Sequence, residues 1–560
     1  MAEAKHTKTP LYITLMDTSK AFDVVSHTSM LNAMHEQGIH GNLWKLYNSM
    51  HTNIRSVVKW NGQLSYHIKE TQGIRQGGSS SADNYKAGKN TLLTQLHRAN
   101  INNIGVHHTG ALMVADDLLI NATNIYDMQA GLNISQHDAA RERYKFNLDK
   151  TKIISINVKN KPQLTLNGKP LGCSDKEPHL GITRTENMRN TCTVDTRIQS
   201  ARGIIMSMLG AGFRGYNGTG LEVGVAIYKA YVFPTLLYGL EALVLSREDV
   251  QNLEKYHRQN IRCLMHLPNS TAIPALYLLS GIPPVEAELD IRSLSLFRNI
   301  IAAESDSPSS QYIKDFILRQ LAVKTEGSTS WTTRIKSILS KYKLPSTRDL
   351  LHITPTKAKW NKIIKETIYD WWTLHYRAQA EDMSTMCFIQ LDQCHVNQLH
   401  HSLKYTRCPL SIKKSTIKLQ LLVNRYPLST CKTSGSKRYN LCPMCNLEPE
   451  DTIHFLLTCP SLRKPRNNYL YIIMNILRHH RMSVEPKKIV MAILDSSHVF
   501  TNKRSQHMDE RTHFDRICSS FIYKLHHVRA ITLGGDSQYK LPNISYKKTH
   551  LSARKAILKC

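Results

Sequence analysis

The sequence predicts an α+β fold: an antiparallel sheet with helices on one face, followed by helical segments and a small cysteine-containing module. Three observations support this prediction. Strand-like and helix-like segments are mixed in the first part of the chain, an order typical of an antiparallel sheet covered by helices. From about residue 195 to 320, apolar residues recur at helical spacing. A compact group of cysteines then follows between residues 442 and 459.

The first element is a predicted strand that begins at Leu11. The segment LYITLMDTSKAFDVV (11–25) is strand-like through Met16, continues as a polar turn and leads into a helix that Ser26 or Thr28 could cap. Asp17 is therefore expected at the end of a strand. Residues 54–71 contain Asn-Gly between two strand-like runs, which predicts a β-hairpin.

Two further segments are expected to position candidate functional residues. The glycine-rich stretch GIRQGGSSSAD predicts a turn that leads into a helix, with serines at the cap and Asp83 in the first turn. The stretch ALMVADDLLI (111–120) supplies the two arms of another hairpin, with Asp116 and Asp117 at or near its tip. The sheet is thus expected to present acids at strand ends.

Composition narrows the class of protein. The chain has 560 residues, too many for one compact core, and a formal net charge of +30. Such an excess of cations favours a polyanionic partner, nucleic acid first, although an ordinary basic protein remains the alternative. The longest apolar stretch, residues 225–245, is interrupted by Lys229, Pro234 and Glu241. It therefore predicts a core helix with a break, and no membrane partner is expected.

The adjacent aspartates need an explanation, because a carboxylate among apolar neighbours costs several kcal/mol unless it is paired or bound to a metal. If the strand that ends at Asp17 neighbours the ADD hairpin, Asp17 and Asp116 converge and can share divalent cations. Carboxylate oxygens suit Mg²⁺, and two such ions are typical of nucleotidyl transfer. The alternative is a solvated turn or a helix cap.

Six segments, in order, resemble the motifs of one family. LMDTSKAFDVVSHTSML resembles motif A of the reverse transcriptases of non-LTR, LINE-type retrotransposons, GIRQGGSSSADNYK their motif B, and MVADDLLI their motif C. FNLDKTKIISIN is similar to motif D, HLGI to motif E, and PTLLYGLEAL to a thumb segment. The resemblance covers most of residues 11–300. It implies a palm, a helical thumb and RNA-directed DNA polymerase activity.

The resemblance implies roles for individual residues. Asp17 and Asp116 would bind two catalytic Mg²⁺ ions, with Asp117 as the third acid. Phe22 would be the aromatic gate that excludes a 2′-hydroxyl and so selects deoxynucleotides, although a core phenylalanine is the alternative. Lys150 and Lys152 lie in motif D, where a lysine would protonate the leaving pyrophosphate. Lys150 is assigned this role, although a solvated basic turn is the alternative.

The RQGG segment is expected to approach the template or the incoming nucleotide. Arg75 and Gln76 supply a cation and an amide, and Gly77 permits close approach of the backbone. Without the resemblance, this segment would be interpreted only as a turn.

The cysteine group has the spacing C-x2-C-x8-H-x4-C and consists of Cys442, Cys445, His454 and Cys459. This spacing predicts a closed tetrahedral Zn²⁺ site of structural type, and the alternative is four incidental buried residues. It resembles the zinc knuckle found downstream of LINE-type polymerases. Arg463, Lys464 and Arg466 are then expected to meet phosphate. A second group within residues 387–401 is interpreted as loop or helix surface.

These observations predict five segments: residues 1–160 as palm with motifs A to D, 161–303 as motif E and helical thumb, 304–435 as a basic helical connection, 436–475 as the zinc knuckle, and 476–560 as a basic C-terminal region. Few residues precede motif A, so an N-terminally truncated protein, without fingers and endonuclease, is expected. Oligomeric state is left open.

The expected partners are an RNA template, a DNA primer or target, and deoxynucleoside triphosphates. The expected location is intracellular, in a cytoplasmic ribonucleoprotein and the nucleus. One alternative is a catalytically inactive remnant that only binds nucleic acid. Another, a metal phosphohydrolase that uses the aspartate pair, is disfavoured because it would leave motifs B and D without a task.

Overall fold

The computed structural model describes residues 1, 4, 7–75, 77–104, 107–212, 219–303, 308–323, 330–404, 408–431, 441–500 and 506–534. The described residues fall into two compact units, one within 1–193 and 304–324 and the other within 194–303 and 325–560. The first unit carries the sheets and the second is mainly helical. The division into five functional segments stays a prediction.

The first unit contains fifteen described strands: β1 (Leu11–Asp17), β2 (Arg55–Ser56), β3 (Lys59–Trp60), β4 (Gln63–Leu64), β5 (Ile68–Lys69), β6 (Asn103–Ile104), β7 (His107–His108), β8 (Ala111–Val114), β9 (Asp117–Ala122), β10 (Lys152–Ile156), β11 (Thr165–Leu166), β12 (Lys169–Pro170), β13 (Gly172–Cys173), β14 (Lys176–His179) and β15 (Ile182–Thr185).

The described helices are α1 (His27–Glu36), α2 (Gly41–His51), α3 (Ser81–Arg98), α4 (Ile125–Arg141), α5 (Thr191–Gly210), α6 (Leu221–Ile227), α7 (Phe233–Leu237), α8 (Arg247–Met265), α9 (Ile273–Ser280), α10 (Val285–Ile301), α11 (Pro308–Val323), α12 (Trp331–Lys341), α13 (Thr347–His352), α14 (Lys357–Glu381), α15 (Pro409–Leu422), α16 (Arg463–His479), α17 (Pro486–Leu494) and α18 (Gln506–Thr532).

The main sheet has five strands in the order β13-β10-β1-β9-β8. Strand β1 lies between β9 and β10 and is antiparallel to both, and only the edge pair β10–β13 is parallel. The side chains of β1 alternate between two cores. Met16 packs with Leu92 of α3 and Met128 of α4, whereas Ile13 faces the opposite, smaller cluster. Helices α3 and α4 thus cover one face, and the predicted α+β class is confirmed.

Both predicted hairpins are present. Asn61 and Gly62 connect β3 to β4 with positive φ angles of 47° and 82°, as a tight two-residue turn requires. Val114 of β8 pairs with Asp117 of β9, so Ala115 and Asp116 form the tip of the second hairpin. Ala115 has a φ of 52°, a left-handed conformation that costs a residue with a Cβ about 1–2 kcal/mol.

Of the two helices predicted to begin with a serine cap, only one has that cap. Ser26 caps α1 by accepting a hydrogen bond from the backbone N–H of Ser29, as expected. Helix α3 follows Ser80, whose side chain makes no capping hydrogen bond. Instead, the hydroxyl of Ser81 donates to the carbonyl of Arg75 at 2.6 Å and fixes the glycine-rich turn. Serine therefore acts here on the preceding loop.

The second unit is built from helices, as predicted from residue 195 onward. The apolar stretch 225–245 is broken: α6 passes through a π-helical turn into α7, and Gly239 then adopts a left-handed conformation. Among the described helices, none combines the length and apolarity needed to cross a bilayer.

The interpretation of residues 387–401 as surface is wrong, because Cys394, Val396 and His400 are at most 3% exposed. Packing against other helices, which local pattern does not report, buries them.

Candidate active site and metal centre

Two aspartates face each other across adjacent strands. Asp17, the last residue of β1, pairs directly with Asp117, the first residue of β9. Directly opposed residues in an antiparallel pair lie on the same face with their Cβ atoms roughly 4.5–5.5 Å apart. Two like charges at such positions repel each other, so the strand ends form a place where a cation is favoured.

A basic side chain approaches from the other side of β1. The backbone N–H of Asn147 donates to the carbonyl of Asp17 at 2.8 Å, and the side-chain oxygen of Asn147 accepts from the N–H groups of Asp149 and Lys150. This turn directs the Lys150 ammonium to within 3.3 Å of the Asp17 carboxylate. The Lys150 side chain is 66% exposed, so the ion pair contributes about 0–1 kcal/mol and leaves the ammonium free to move.

An open cleft collects the predicted residues of motifs A, C and D. It is lined by Asp17, Thr18, Ser19, Lys20, Ala21, Phe22, Asp116, Asn147 and Lys150. Asp117 adjoins it through its pairing with Asp17. The structure thus brings together five of the predicted catalytic and substrate-contacting residues.

The electrostatics of the acids reflect their crowding. Partial burial, together with the charges of Asp116 and Asp17, raises the pKa of Asp117, and Lys150 opposes the shift. Burial and neighbouring carboxylates both oppose ionisation of Asp117, and a nearby cation would favour it. The donor set consists of carboxylate oxygens, which are the ligands preferred by Mg²⁺. The site therefore fits hard divalent ions.

Phe22 is held at the cleft by its neighbours. Its ring stacks on Tyr85 of α3, with centroids 5.3 Å apart and planes at 26°. Its carbonyl accepts a hydrogen bond from the N–H of Ile74, and Gly73 donates to Val25, so the segment that carries the ring is paired to the stretch before motif B. Phe22 is half-buried rather than a closed core residue. Phe22 also lines the cleft.

Motif B has a different placement. Arg75 is exposed, Gly77 has a φ of 82°, and neither is among the residues that line the cleft with Asp17. A Cβ added to Gly78 would lie 2.5 Å from the Ser81 hydroxyl, so that hydroxyl would have to shift to accommodate any other residue. Gln76 lies outside the described residues. The contacts predicted for Arg75, Gln76 and Gly77 stay predictions.

Sequence reasoning missed two hydroxyl groups next to the cleft. Tyr85 and Thr18 are 1% and 4% exposed, and their hydroxyls lie beside each other without meeting in hydrogen-bond geometry. Burial, followed by the charge of Asp116, accounts for the raised pKa of Tyr85. Position in motif B was the only available signal for Tyr85, because its contact with Phe22 spans sixty-three positions of sequence.

The Cys/His group converges in the second unit. Its four ligating atoms all lie within 4.8 Å of one another: those of Cys442, Cys445, His454 and Cys459. The Sγ atoms of Cys442 and Cys459 are 3.8 Å apart, and Cys445 Sγ is 3.4 Å from His454 Nε2. Glu448 contacts His454 Nδ1 at 2.9 Å and so leaves Nε2 directed at the thiols. This arrangement is a candidate metal site with a complete tetrahedral donor set.

The basic residues after this group do not act as one patch. Arg463 and Lys464 are exposed, as a phosphate contact requires. Arg466 is 5% exposed and donates to the carbonyl of Cys459 at 2.5 Å, so its expected phosphate contact is wrong. Helical periodicity turns Arg466 toward the Cys/His group, where it satisfies a backbone oxygen.

Comparisons with known proteins agree with the motif order. Residues 1–183 match the family of reverse transcriptases (RNA-dependent DNA polymerases). The chain is 26% identical over 267 residues to the retrovirus-related Pol polyprotein from type-1 retrotransposable element R2 of Popillia japonica, which covers 45% of this chain and 42% of that protein. The corresponding protein of Nasonia vitripennis is 24% identical over 287 residues, 48% of this chain and 26% of that protein.

The chain thus spans less than half the length of these relatives. The structure of apo telomerase from Candida tropicalis has a TM-score of 0.27 at 12% identity, over 65% of this chain and 54% of that chain, a value that does not establish a shared fold. Together with the motifs, the family match and the retrotransposon relatives identify residues 1–183 as a reverse transcriptase domain of the kind found in non-LTR retrotransposons.

Proposed function

We propose that this chain is an RNA-directed DNA polymerase of a non-LTR retrotransposon, which extends a DNA 3′ end with deoxynucleoside triphosphates on an RNA template. The observation that carries the proposal is the convergence of acids at the end of β1. Asp17 opposes Asp117 in register, and Asp116 lines the same cleft as Asp17. A metal phosphohydrolase could use such acids but would leave the motif B turn and Lys150 unexplained.

Asp17 and Asp116 would hold two Mg²⁺ ions, with Asp117 supporting them. When bound, such ions would activate a primer 3′-hydroxyl and stabilise the leaving pyrophosphate. Burial, followed by the charges of Asp116 and Asp17, raises the pKa of Asp117, and a bound cation would offset the charge repulsion in this group.

Two further residues of the cleft would act on the nucleotide. The Lys150 ammonium is exposed and lies 3.3 Å from Asp17. In this proposal it would donate a proton to the leaving pyrophosphate. The Phe22 ring would lie against the sugar edge and exclude a 2′-hydroxyl. The Tyr85 stack would keep that ring from rotating away.

The Cys/His group would bind one structural Zn²⁺ and stabilise a nucleic-acid-binding knuckle, to which the exposed Arg463 and Lys464 add charge. The net charge of +30 supports binding of RNA and DNA. We place the protein inside the cell, in a cytoplasmic ribonucleoprotein and in the nucleus, where those templates and targets occur.

Primer extension on an RNA template with Mg²⁺ tests the proposal. The wild-type chain is expected to incorporate deoxynucleotides, and Asp116→Asn to reduce the rate by about 10²–10³-fold or more while RNA binding is unchanged. Asp175→Asn is the matched control, because it removes one carboxylate, 74% exposed and paired with Lys161, from the same unit. Wild-type protein that binds RNA without incorporating nucleotides would instead identify a remnant that only binds nucleic acid.

A further inference from the structure

A second group of metal-ligating side chains lies in the helical unit, away from the Cys/His group. It consists of His400, His401 and Asp495, and its three ligating atoms lie within 4.8 Å of one another. Asp495 directly follows α17, and both Asp495 and the His400 side chain have no exposed surface. These two buried groups need hydrogen bonds or a cation to offset their lost hydration, and His401, whose side chain is 18% exposed, lies at their edge.

The distances within this group are those between ligands of one ion. His400 Nε2 is 3.5 Å from one Asp495 carboxylate oxygen, and His401 Nε2 is 3.4 Å from the other. Hydrogen bonds to a carboxylate are usually about 2.7–3.2 Å long. A tetrahedral zinc site with bonds of about 2.0–2.1 Å separates its ligands by about 3.3–3.4 Å. His400 Nε2 is accordingly buried without a hydrogen-bond partner among the described residues.

The other atoms of the three side chains are already satisfied. His400 Nδ1 lies 2.7 Å from the hydroxyl of Ser402, and His401 Nδ1 lies 3.3 Å from that of Ser497. Asp495 accepts backbone hydrogen bonds from Gln390 and Ser497 at 2.8 and 3.0 Å. Such outer contacts orient metal ligands in known sites, since they fix each imidazole with Nε2 directed inward.

The Cys/His group of the same chain has the same signature. There too, ligating atoms face each other at 3.4–3.8 Å, and the outer nitrogen of the histidine is held by a neighbouring side chain, Glu448. The likeness is informative because the sequence predicts zinc at the Cys/His group independently, from spacing alone. By the same geometry, the second group qualifies as a site.

Charges around the second group leave Asp495 available. Lys418 forms an ion pair with Asp515 at 2.7 Å, and Arg511 donates to the hydroxyls of Ser496 and Ser497. These cations are therefore engaged elsewhere, although they lie nearby. Ser496 also lies 2.9 Å from His401 Nε2, a hydrogen bond that a metal ion would replace while Ser496 keeps Asp515 as its acceptor.

We propose that His400, His401 and Asp495 supply three ligands to a second Zn²⁺ ion. Two imidazole nitrogens and a carboxylate form a donor set that suits zinc. The ion would join the turn at residues 401–403 to the end of α17, ninety-odd positions along the chain. The expected effect of its removal is loss of stability, and the inference does not depend on the proposed polymerase activity.

Zinc content of the purified full chain tests the proposal. Mass spectrometry of the metal is expected to find two zinc ions per chain in the wild type and one in either Cys445→Ser or His401→Gln. His395→Gln is the matched control, because His395 lies on the same segment but pairs with Asp370 outside the group, and it should retain both ions. One ion in the wild type that Cys445→Ser removes completely would overturn the proposal, as would full retention by His401→Gln.

A second measurement avoids variants that fail to fold. X-ray absorption at the zinc edge of the wild type reports the mean number of sulfur ligands per ion. The Cys/His group alone supplies three sulfurs to its ion, whereas two ions of the proposed kinds would share those three and halve the mean. A mean near three sulfurs would overturn the second site and leave the first intact.

Discussion

The acids of the reverse transcriptase cleft and the acids of the helical unit are treated in opposite ways. Asp17 and Asp117 oppose each other at a strand end and are partly exposed, and Asp17 has an ion pair with the exposed Lys150 ammonium. Glu450, in contrast, is 1% exposed and bound by Arg529 through two hydrogen bonds of 2.6 and 2.8 Å. The difference indicates where a ligand is needed: the fold itself pairs Glu450, whereas the acids at the strand ends would, by our proposal, be completed by substrate and metal.

The largest expected effect follows from removing the partnered acid. Glu450→Ala removes both charge-assisted hydrogen bonds that the carboxylate makes with the buried Arg529 guanidinium, so the free energy of unfolding should fall by about 3–5 kcal/mol, as measured by denaturant titration. The control is Glu485→Ala, which removes one member of a surface pair with Lys488 that is more than half exposed and should cost less than about 1 kcal/mol. Equal losses in the two variants would contradict the contrast.

Substitution of two buried tyrosines is expected to have an effect of intermediate size on stability. Tyr85→Phe removes a hydroxyl that makes no hydrogen bond, so stability should be unchanged or should rise by about 1 kcal/mol. Tyr426→Phe removes a hydroxyl 2.7 Å from His526 Nδ1 and should cost about 1 kcal/mol. Thermal unfolding of both variants checks the sign. A loss in Tyr85→Phe equal to that in Tyr426→Phe would show that Tyr85 has a partner.

The smallest expected effect depends on pH. The fold raises the pKa of Asp117 above its ordinary 3.8, so the folded state holds a proton that the unfolded state releases, and stability falls as pH rises through this window. Asp117→Asn should therefore stabilise the metal-free protein at neutral pH by about 0.2–1 kcal/mol. The gain should vanish below the ordinary pKa. The free energy of unfolding of both proteins is measured by chemical unfolding in EDTA at pH 7 and at pH 3.5. A loss of stability in Asp117→Asn at pH 7, or an equal gain at both pH values, would contradict the prediction.

Local signals explain why much of the cleft could be predicted. The strand that ends at Asp17, the Asn-Gly hairpin and the ADD hairpin depend on residues that adjoin in sequence. The pairing of Asp17 with Asp117, rather than with Asp116, depends on a register between strands a hundred positions apart. Sequence spacing does not specify such a register.

Long-range packing also explains the misses. The burial of His400 and of Arg466, and the stack of Tyr85 on Phe22, arise where distant segments meet. A charged or polar residue in a helical pattern is ordinarily assigned to solvent, because its partner is not visible in sequence. Buried polar clusters that lack a recognisable spacing, unlike the Cys/His group, are therefore visible only in the folded structure.

Ala115 has one more consequence. Consecutive residues of a straight strand point to opposite faces, so Asp116 and Asp117 could not both serve one cleft without a corner between strands β8 and β9. The left-handed backbone of Ala115 supplies that corner, and its methyl group narrows the angles that the backbone can explore. The directions of two carboxylates thus depend on the backbone of a residue whose side chain carries no polar atom, and mutational scans restricted to charged residues would overlook it.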